Sequence, residues 1–479
     1  MTLRHAPDGA TQGRAAAVLL PGFVGTELPE WLAARLRAGL GGVCLFGENI
    51  VSRAQVRALT DAIREANPLA LIAIDEEGGD VTRLYYATGS PYPGNALLGQ
   101  IDDLDLTADV ARSVALELRA VGVNLNFAPD VDINSNPDNP VIGVRSFGDD
   151  PGLVSAHTAA WIVAHEAEGV AVSAKHFPGH GDTAQDSHLA LPVVDLPLAE
   201  LRLRELRPFV AAVQAGARTI MSSHVMLPQL DPDQPATFSS VILDGVLRGE
   251  LGFEGVIVSD ALDMVGASGE IGIPAAAVRA IAGGCDLLCI GTKNTDSQMA
   301  EIEAALAAAV ADGTLPAERL ADAAARNRAL AESLAAPAPL SALATPEPAF
   351  DLEIGIAAFD IGRGVLIDPD ARILSLETDA NIAVGHAPWG PAAAGAPTTA
   401  IREGDVLPVA GVPTVIVGKD NHRRAWVRDA IDIARGANPD VVVVDMGWPS
   451  PDRAYADIAT FGASRYAGQA LLRLIGGES

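Results

Sequence analysis

The sequence predicts an α/β protein: a (β/α)8 TIM-type barrel followed by a smaller α/β sandwich domain. Three observations carry this expectation. Eight short apolar runs recur over the first part of the chain. Ala- and Leu-rich stretches of helical spacing lie between them. Polar and charged residues gather at the C-terminal ends of five successive runs, where barrel enzymes build their sites.

The runs are AAVLLPGF (16–23), GGVCLFG (41–47), LALIAIDEE (69–77), VNLNFAPD (123–130), VAVSAKHFPG (170–179), RTIMSSHV (218–225), GVIVSDAL (255–262) and CDLLCIG (285–291). Helical spacing is read at 28–39, 52–66, 108–121, 151–168, 198–215 and 240–251, then at 296–312 and 316–335. Strand and helix in alternation imply a parallel sheet with both faces covered. The third run ends on Asp75 and Glu76, and Asp130 and Asp132 follow the fourth. Lys175 and His176 end the fifth, His224 the sixth and Asp260 the seventh. At any single position a charged residue is as well explained by a strand leaving for a loop. Five in succession favour a shared rim.

The barrel is assigned residues 1–335. A Pro- and Ala-rich linker follows at 336–350, APAPLSALATPEPAF, and a second α/β unit at 351–479. The runs of that unit are ARILSLE (371–377), NIAVG (381–385), TVIVGKD (414–420), DVVVVDMG (440–447) and DIATFG (457–462), with helices near 421–435 and 464–475. GRG at 362–364 lacks the strand-then-helix setting of a dinucleotide fingerprint. Three roles stay open for the tail: docking on the barrel, pairing subunits into a homodimer, and capping part of the cleft.

A chain that is 49% hydrophobic can bury a large core, and a net charge of −28 repels nucleic acid and anionic membrane. Three cysteines, Cys44, Cys285 and Cys289, are no disulfide framework and read as buried thiols. The apolar run near the N-terminus is interrupted by PGF and reads as a first strand rather than a signal peptide. No stretch reaches the ~18 apolar residues of a membrane span. A cytoplasmic protein is expected.

The chemistry concentrates in SAKHFPGHGDTAQDSHLALP (173–192). Lys175 and His176 sit at a strand end; Pro178, Gly179 and Gly181 turn the chain back over the barrel mouth. Asp186 stands two residues before His188. An Asp so placed can fix the imidazole tautomer and leave the other nitrogen to move a proton. A surface His beside an Asp is the plainer alternative. Asp260 closes an apolar strand, so it reads as a nucleophile or base, or else as a helix cap. A metal is not expected: the spacings match no ligand motif, and Lys175 disfavours a cation. A Ser hydrolase using Ser259 or Ser187 lacks the GxSxG elbow.

KHFPGHGDTAQDSH, together with IDEEGGDVTR (74–83), NPVIGVRSFGDDP (139–151) and VIVSDALDM (256–264), resembles glycoside hydrolase family 3 in its β-N-acetylhexosaminidase branch. The resemblance covers residues 15–335, and more weakly the tail. It implies a retaining mechanism through a covalent glycosyl-enzyme, with Asp260 as nucleophile and His188 as acid/base oriented by Asp186. It also implies that Asp75, Arg145, Lys175 and His176 hold the sugar. Arg83 and His224 complete the expected substrate-binding set. The partner is a small saccharide, a GlcNAc glycoside derived from cell wall or chitin, with no cofactor. A neutral histidine repels an incoming anion less than a carboxylate would, so phosphorolysis is the first alternative. A saccharide-binding protein without catalysis is the second. The family motif reads closer to DQEGGRV; here Glu76 replaces Gln and Asp80 replaces Arg. The missing positive charge at 80 weakens the case for acidic leaving groups.

Overall fold

The computed structural model describes residues 9–183, 191–269, 271–379, 382–409 and 411–476. The first eight apolar runs supply the barrel strands: β1 (Leu19–Pro21), β2 (Gly42–Leu45), β3 (Leu71–Ile74), β4 (Leu125–Asn126), β5 (Ala171–Phe177), β6 (Thr219–Ser222), β7 (Val256–Ser259) and β8 (Leu287–Gly291). They pair in parallel from β2 through β3 to β8 and on to β1. At the remaining seam Gly41 N–H donates to the Ala16 carbonyl at 3.0 Å. A Cβ at Gly41 would stand 2.4 Å from the Ala17 carbonyl oxygen, and one at Gly42 would meet the Leu71 backbone. The paired glycines are what let these backbones come together.

Strand parity explains why the runs are apolar throughout. On β3, Leu71 and Ala73 point into the barrel, while Ile72 and Ile74 pack against the outer helices. On β8, Leu287 and Cys289 point inward and Leu288 and Ile290 outward. Burial of each such Leu or Ile stabilises the fold by about 1.5–3 kcal/mol. Outer helices begin on side-chain caps, as at Ser52, Asp150 and Thr295. All three cysteines are buried and free.

Three expectations need correction. The run at 16–23 is helical up to Ala17, because Gly9–Ala17 forms a helix that seats Ala15 against the barrel core, and only Leu19–Pro21 is strand. The described part of the run NIAVG is no strand: residues 382–384 form a turn, held by hydrogen bonds from the barrel residue Arg83. The helix read at 198–215 is two helices, Leu198–Leu203 and Arg207–Gln214.

The linker is strapped to the barrel: Arg57 donates to the Ala338 carbonyl and Arg53 to that of Thr345. Beyond it lie β9 (Asp360–Ile361), β10 (Arg372–Leu376), β11 (Thr398–Ile401), β12 (Thr414–Gly418), β13 (Val441–Asp445) and β14 (Ile458–Ala459), in the spatial order β9-β14-β13-β12-β10-β11. All neighbours are parallel except β9 with β14. Helix Ala425–Ala437 covers one face through Val427, Ile431 and Ala434; helix Arg465–Gly476 covers the other through Tyr466 and Leu471. Barrel residue Leu97 enters this second core, so the two units share a packed interface.

Candidate active site

The C-terminal ends of the barrel strands surround a cavity of about 240 Å³. Its floor is apolar, from Phe127, Met221 and Cys289. One wall is a network of matched charges. Asp75 leaves β3 and accepts from Lys175 Nζ at 2.8 Å. Two residues on, and therefore on the same side of the chain, Glu77 accepts from Lys175 Nζ at 2.7 Å. Glu77 also takes Arg145 in a fork, at 2.8 and 3.0 Å. Burial works against the Glu77 charge, but Arg145 and Lys175 outweigh it and hold the carboxyl well below the usual range. Arg145 reaches Asp130 at 3.3 Å as well.

Behind Arg145, His176 Nδ1 lies 2.7 Å from Asp132 Oδ2, and its Nε2 lies 3.4 Å from an Arg145 nitrogen. Arginine can only donate, so Nε2 accepts and Nδ1 carries the proton. Burial pushes His176 down to about 4, which keeps it neutral at pH 7. His180 is likewise pushed down to about 4 by burial; its N–H donates to Asp132 Oδ1 at 2.7 Å. Burial raises Asp130 to about 7, with Asp132 adding to the rise. Asp130, Asp132 and His176 bring ligand-capable atoms within 4.8 Å of one another. The cation already serving this group is Arg145, and both Asp132 oxygens accept N–H donors.

Opposite stands Asp260, half-buried just past the end of β7 and lining the cavity. Its Oδ1 accepts the Ala261 N–H at 2.7 Å. Asp263 follows on the same loop and accepts the Thr292 N–H at 2.9 Å. Gly291, at φ +103°, makes room for it: a Cβ there would lie within about 2 Å of the Asp263 carboxylate.

The third wall comes from the second domain. Ile382 and Ala383 line the cavity, and Arg83 donates to the Ala383 carbonyl at 2.7 Å. Arg83 also stands 3.9 Å from Asp75. The tail therefore docks on the barrel and contributes to the cleft.

Six of the expected residues meet here: Asp75, Arg83, Arg145, Lys175, His176 and Asp260. His224 does not line the cavity. It is buried beside it, with Nε2 donating to the Ala261 carbonyl at 3.0 Å and Nδ1 2.9 Å from Thr237 Oγ1. Both ring nitrogens are engaged, so it braces the peptide after Asp260 rather than facing a ligand. Asp186 and His188 lie outside the described residues. Glu77 was missed, although the two-residue spacing from Asp75 marks it. Glu76, paired with Asp75 in the sequence reading, turns away: its Oε2 accepts the N–H groups of Arg83 and Leu84, each at 2.8 Å.

A parallel barrel with a charge-lined cavity at its strand ends, holding a half-buried carboxylate, is the arrangement of a barrel enzyme. Comparison with known proteins names the family. The profile of the glycosyl hydrolase family 3 N-terminal domain matches residues 24–330. The β-hexosaminidase of Xylella fastidiosa is 39% identical over 284 residues, 57% of this chain and 83% of that protein. β-Hexosaminidase A of Pseudoalteromonas piscicida is 38% identical over 339 residues, 65% of this chain; the match spans 55% of that longer protein. A solved family 3 β-N-acetylglucosaminidase from Paenibacillus sp. superposes with a TM-score of 0.85 at 28% identity, covering 100% of this chain and 97% of that one. The chain belongs to glycosyl hydrolase family 3.

Proposed function

We propose that the protein is a retaining β-N-acetylglucosaminidase that removes terminal GlcNAc from cell-wall- or chitin-derived saccharides in the cytoplasm. The observation that carries this reading is the Asp260 carboxylate lining the same cavity as the paired charges of Asp75, Glu77, Arg145 and Lys175. Lys175, Arg145, His176 and Asp75 offer donors and acceptors suited to the hydroxyls of one sugar ring. In the first step an Asp260 oxygen attacks C1, the C1–O bond to the leaving group breaks, and His188 gives its proton to the departing oxygen. Asp186 orients the imidazole. In the second step neutral His188 takes a proton from water, whose oxygen attacks C1 from the face the leaving group left; the C1–Asp260 bond breaks and the β-anomer is restored.

The names of the hexosaminidase and N-acetylglucosaminidase relatives support the sugar specificity. The test is a 2-fluoro- or 5-fluoro-glycoside trap followed by peptide mapping. An adduct on Asp260 is the expected result; an adduct on another residue, or an inverted product anomer, would overturn the assignment. Phosphate dependence separates hydrolysis from phosphorolysis: GlcNAc-1-phosphate should not accumulate in phosphate buffer if water is the acceptor.

A further inference from the structure

Two of the three cysteines meet inside the barrel. Cys44 lies on β2 and Cys289 on β8, and both point into the interior. Barrel interiors fill in layers of four side chains taken from alternate strands. The even strands supply one such layer: Cys44 from β2, Phe127 one residue past β4, Met221 from β6 and Cys289 from β8. Phe127, Met221 and Cys289 line the cavity floor, and the fully buried Cys44 thiol is in hydrogen-bond contact with Cys289. Three sulfurs thus share one layer. We propose that Cys44 and Cys289 form a binding site for a soft, thiophilic cation, Cu(I), with the Met221 thioether as a third ligand.

The chemistry of the layer selects this class of ligand. Thiolate and thioether sulfur favour Cu(I) over the hard cations that carboxylates attract. The neighbours inside the barrel, Leu20, Leu71, Leu125 and Leu287, are apolar. A disulfide fits less well. β1 runs between β2 and β8, and its Leu20 is the register partner of Cys289. Strands about 4.8 Å apart put the Cα atoms of alternate strands beyond the ~7 Å that a disulfide spans. Two metal–sulfur bonds of about 2.3 Å each cover the gap between thiols in contact. The hydrogen bond with Cys289 and burial push the Cys44 thiol well up, so it keeps its proton at neutral pH. On binding, each thiol gives its proton to solvent and a sulfur lone pair to the ion; no electron changes hands. Arg83 eases the charge that Cys44 then carries, and Asp75 opposes it. Affinity therefore rises with pH. The remaining cysteine stands apart: Cys285 belongs to the outer core, with Sγ 3.5 Å from the Thr237 carbonyl oxygen.

The experiment titrates the full chain anaerobically with Cu(I) against the chromophoric chelator bicinchoninate. One equivalent should bind per chain, more tightly as pH rises. Cys44→Ser and Cys289→Ser should each weaken binding by at least about 100-fold, since loss of a group that merely supports a ligand already costs about 10–100-fold. Met221→Leu should weaken it by about tenfold, and Cys285→Ser should leave it unchanged. Wild-type binding no tighter than in the double variant Cys44→Ser/Cys289→Ser, or a loss in Cys285→Ser equal to that in Cys44→Ser, overturns the proposal. If a serine variant fails to fold, Met221→Leu decides, and an unchanged affinity there overturns it. Because Cys289 forms part of the cavity floor, turnover of a chromogenic GlcNAc glycoside should fall with occupancy. Full turnover with one equivalent bound would place the ion away from the floor and overturn the site. The titration itself needs no turnover, so it decides the site even if the assigned glycosidase activity fails.

Discussion

Two walls of the strand-end cavity are held by opposite means. In the charge network each group has a partner of the other sign: Glu77 lies between Arg145 and Lys175, Asp75 on Lys175, and Asp130 on Arg145. On the domain side a neutral turn presents its backbone, and Arg83 reaches it through the Ala383 carbonyl. The difference teaches where precision is needed. Charges that must meet a transition state are fixed in advance by partners of their own. A wall that only bounds the chamber needs a chain path rather than a charge pattern.

That contrast can be broken in order of effect. Asp260→Ala should cost at least about 10⁴-fold in turnover of a chromogenic GlcNAc glycoside while the folded state persists, since loss of a nucleophile removes a bond-forming atom. Residual activity within about tenfold of wild type would remove Asp260 from the chemistry. Next, Glu77→Ala removes the acid that joins two buried cations, leaving Arg145 with Asp130 and Lys175 with Asp75, and should lower unfolding free energy by about 3–5 kcal/mol in denaturant titration. A loss below about 1 kcal/mol would mean the barrel wall does not depend on its central acid.

Glu76→Gln sharpens the comparison through pH. Burial raises Glu76 to about 7, against about 4.3 in an unfolded chain. For an acid raised on folding, the stabilising contribution is complete below the unfolded value and is lost as pH climbs through the folded one. The amide does not titrate and can still accept from Arg83 and Leu84. The stability of Glu76→Gln relative to wild type should therefore grow by about 2–3 kcal/mol from pH 5 to pH 8; a difference flat with pH would contradict the raised value. Smallest, Tyr86→Phe deletes the hydroxyl that accepts the His386 N–H at 3.1 Å. It should weaken domain docking by about 0.5–1.5 kcal/mol, seen as faster proteolysis between the units with the barrel still intact.

Much of the barrel was legible because its physics is local. Strands buried on both faces must be apolar, and their ends must turn polar, so eight runs and a charged rim stand out in one reading. Asp75, Arg145, Lys175, His176 and Asp260 follow from that rim and from the motifs around it. What escaped depends on direction or on distance. His224 also ends a strand, but its ring turns toward Thr237 and the Ala261 carbonyl, a choice made by tertiary neighbours. Glu76 and Glu77 differ only in parity, and parity decides which of them faces the cavity. The NIAVG run looks like a strand until the barrel competes for its carbonyls. Lys419 lies far along the chain from Asp80, and nothing local in either segment announces that they will share a cleft.

The turn at 382–384 offers carbonyl oxygens, and every residue type carries one. Arg83 therefore grips a feature that substitution of the side chains at 383 and 384 does not remove. The chamber's outline on this side can survive wide drift in spelling, provided the backbone keeps its route. Variants screened there for altered selectivity should tolerate exchange of letters far better than insertion or deletion of one.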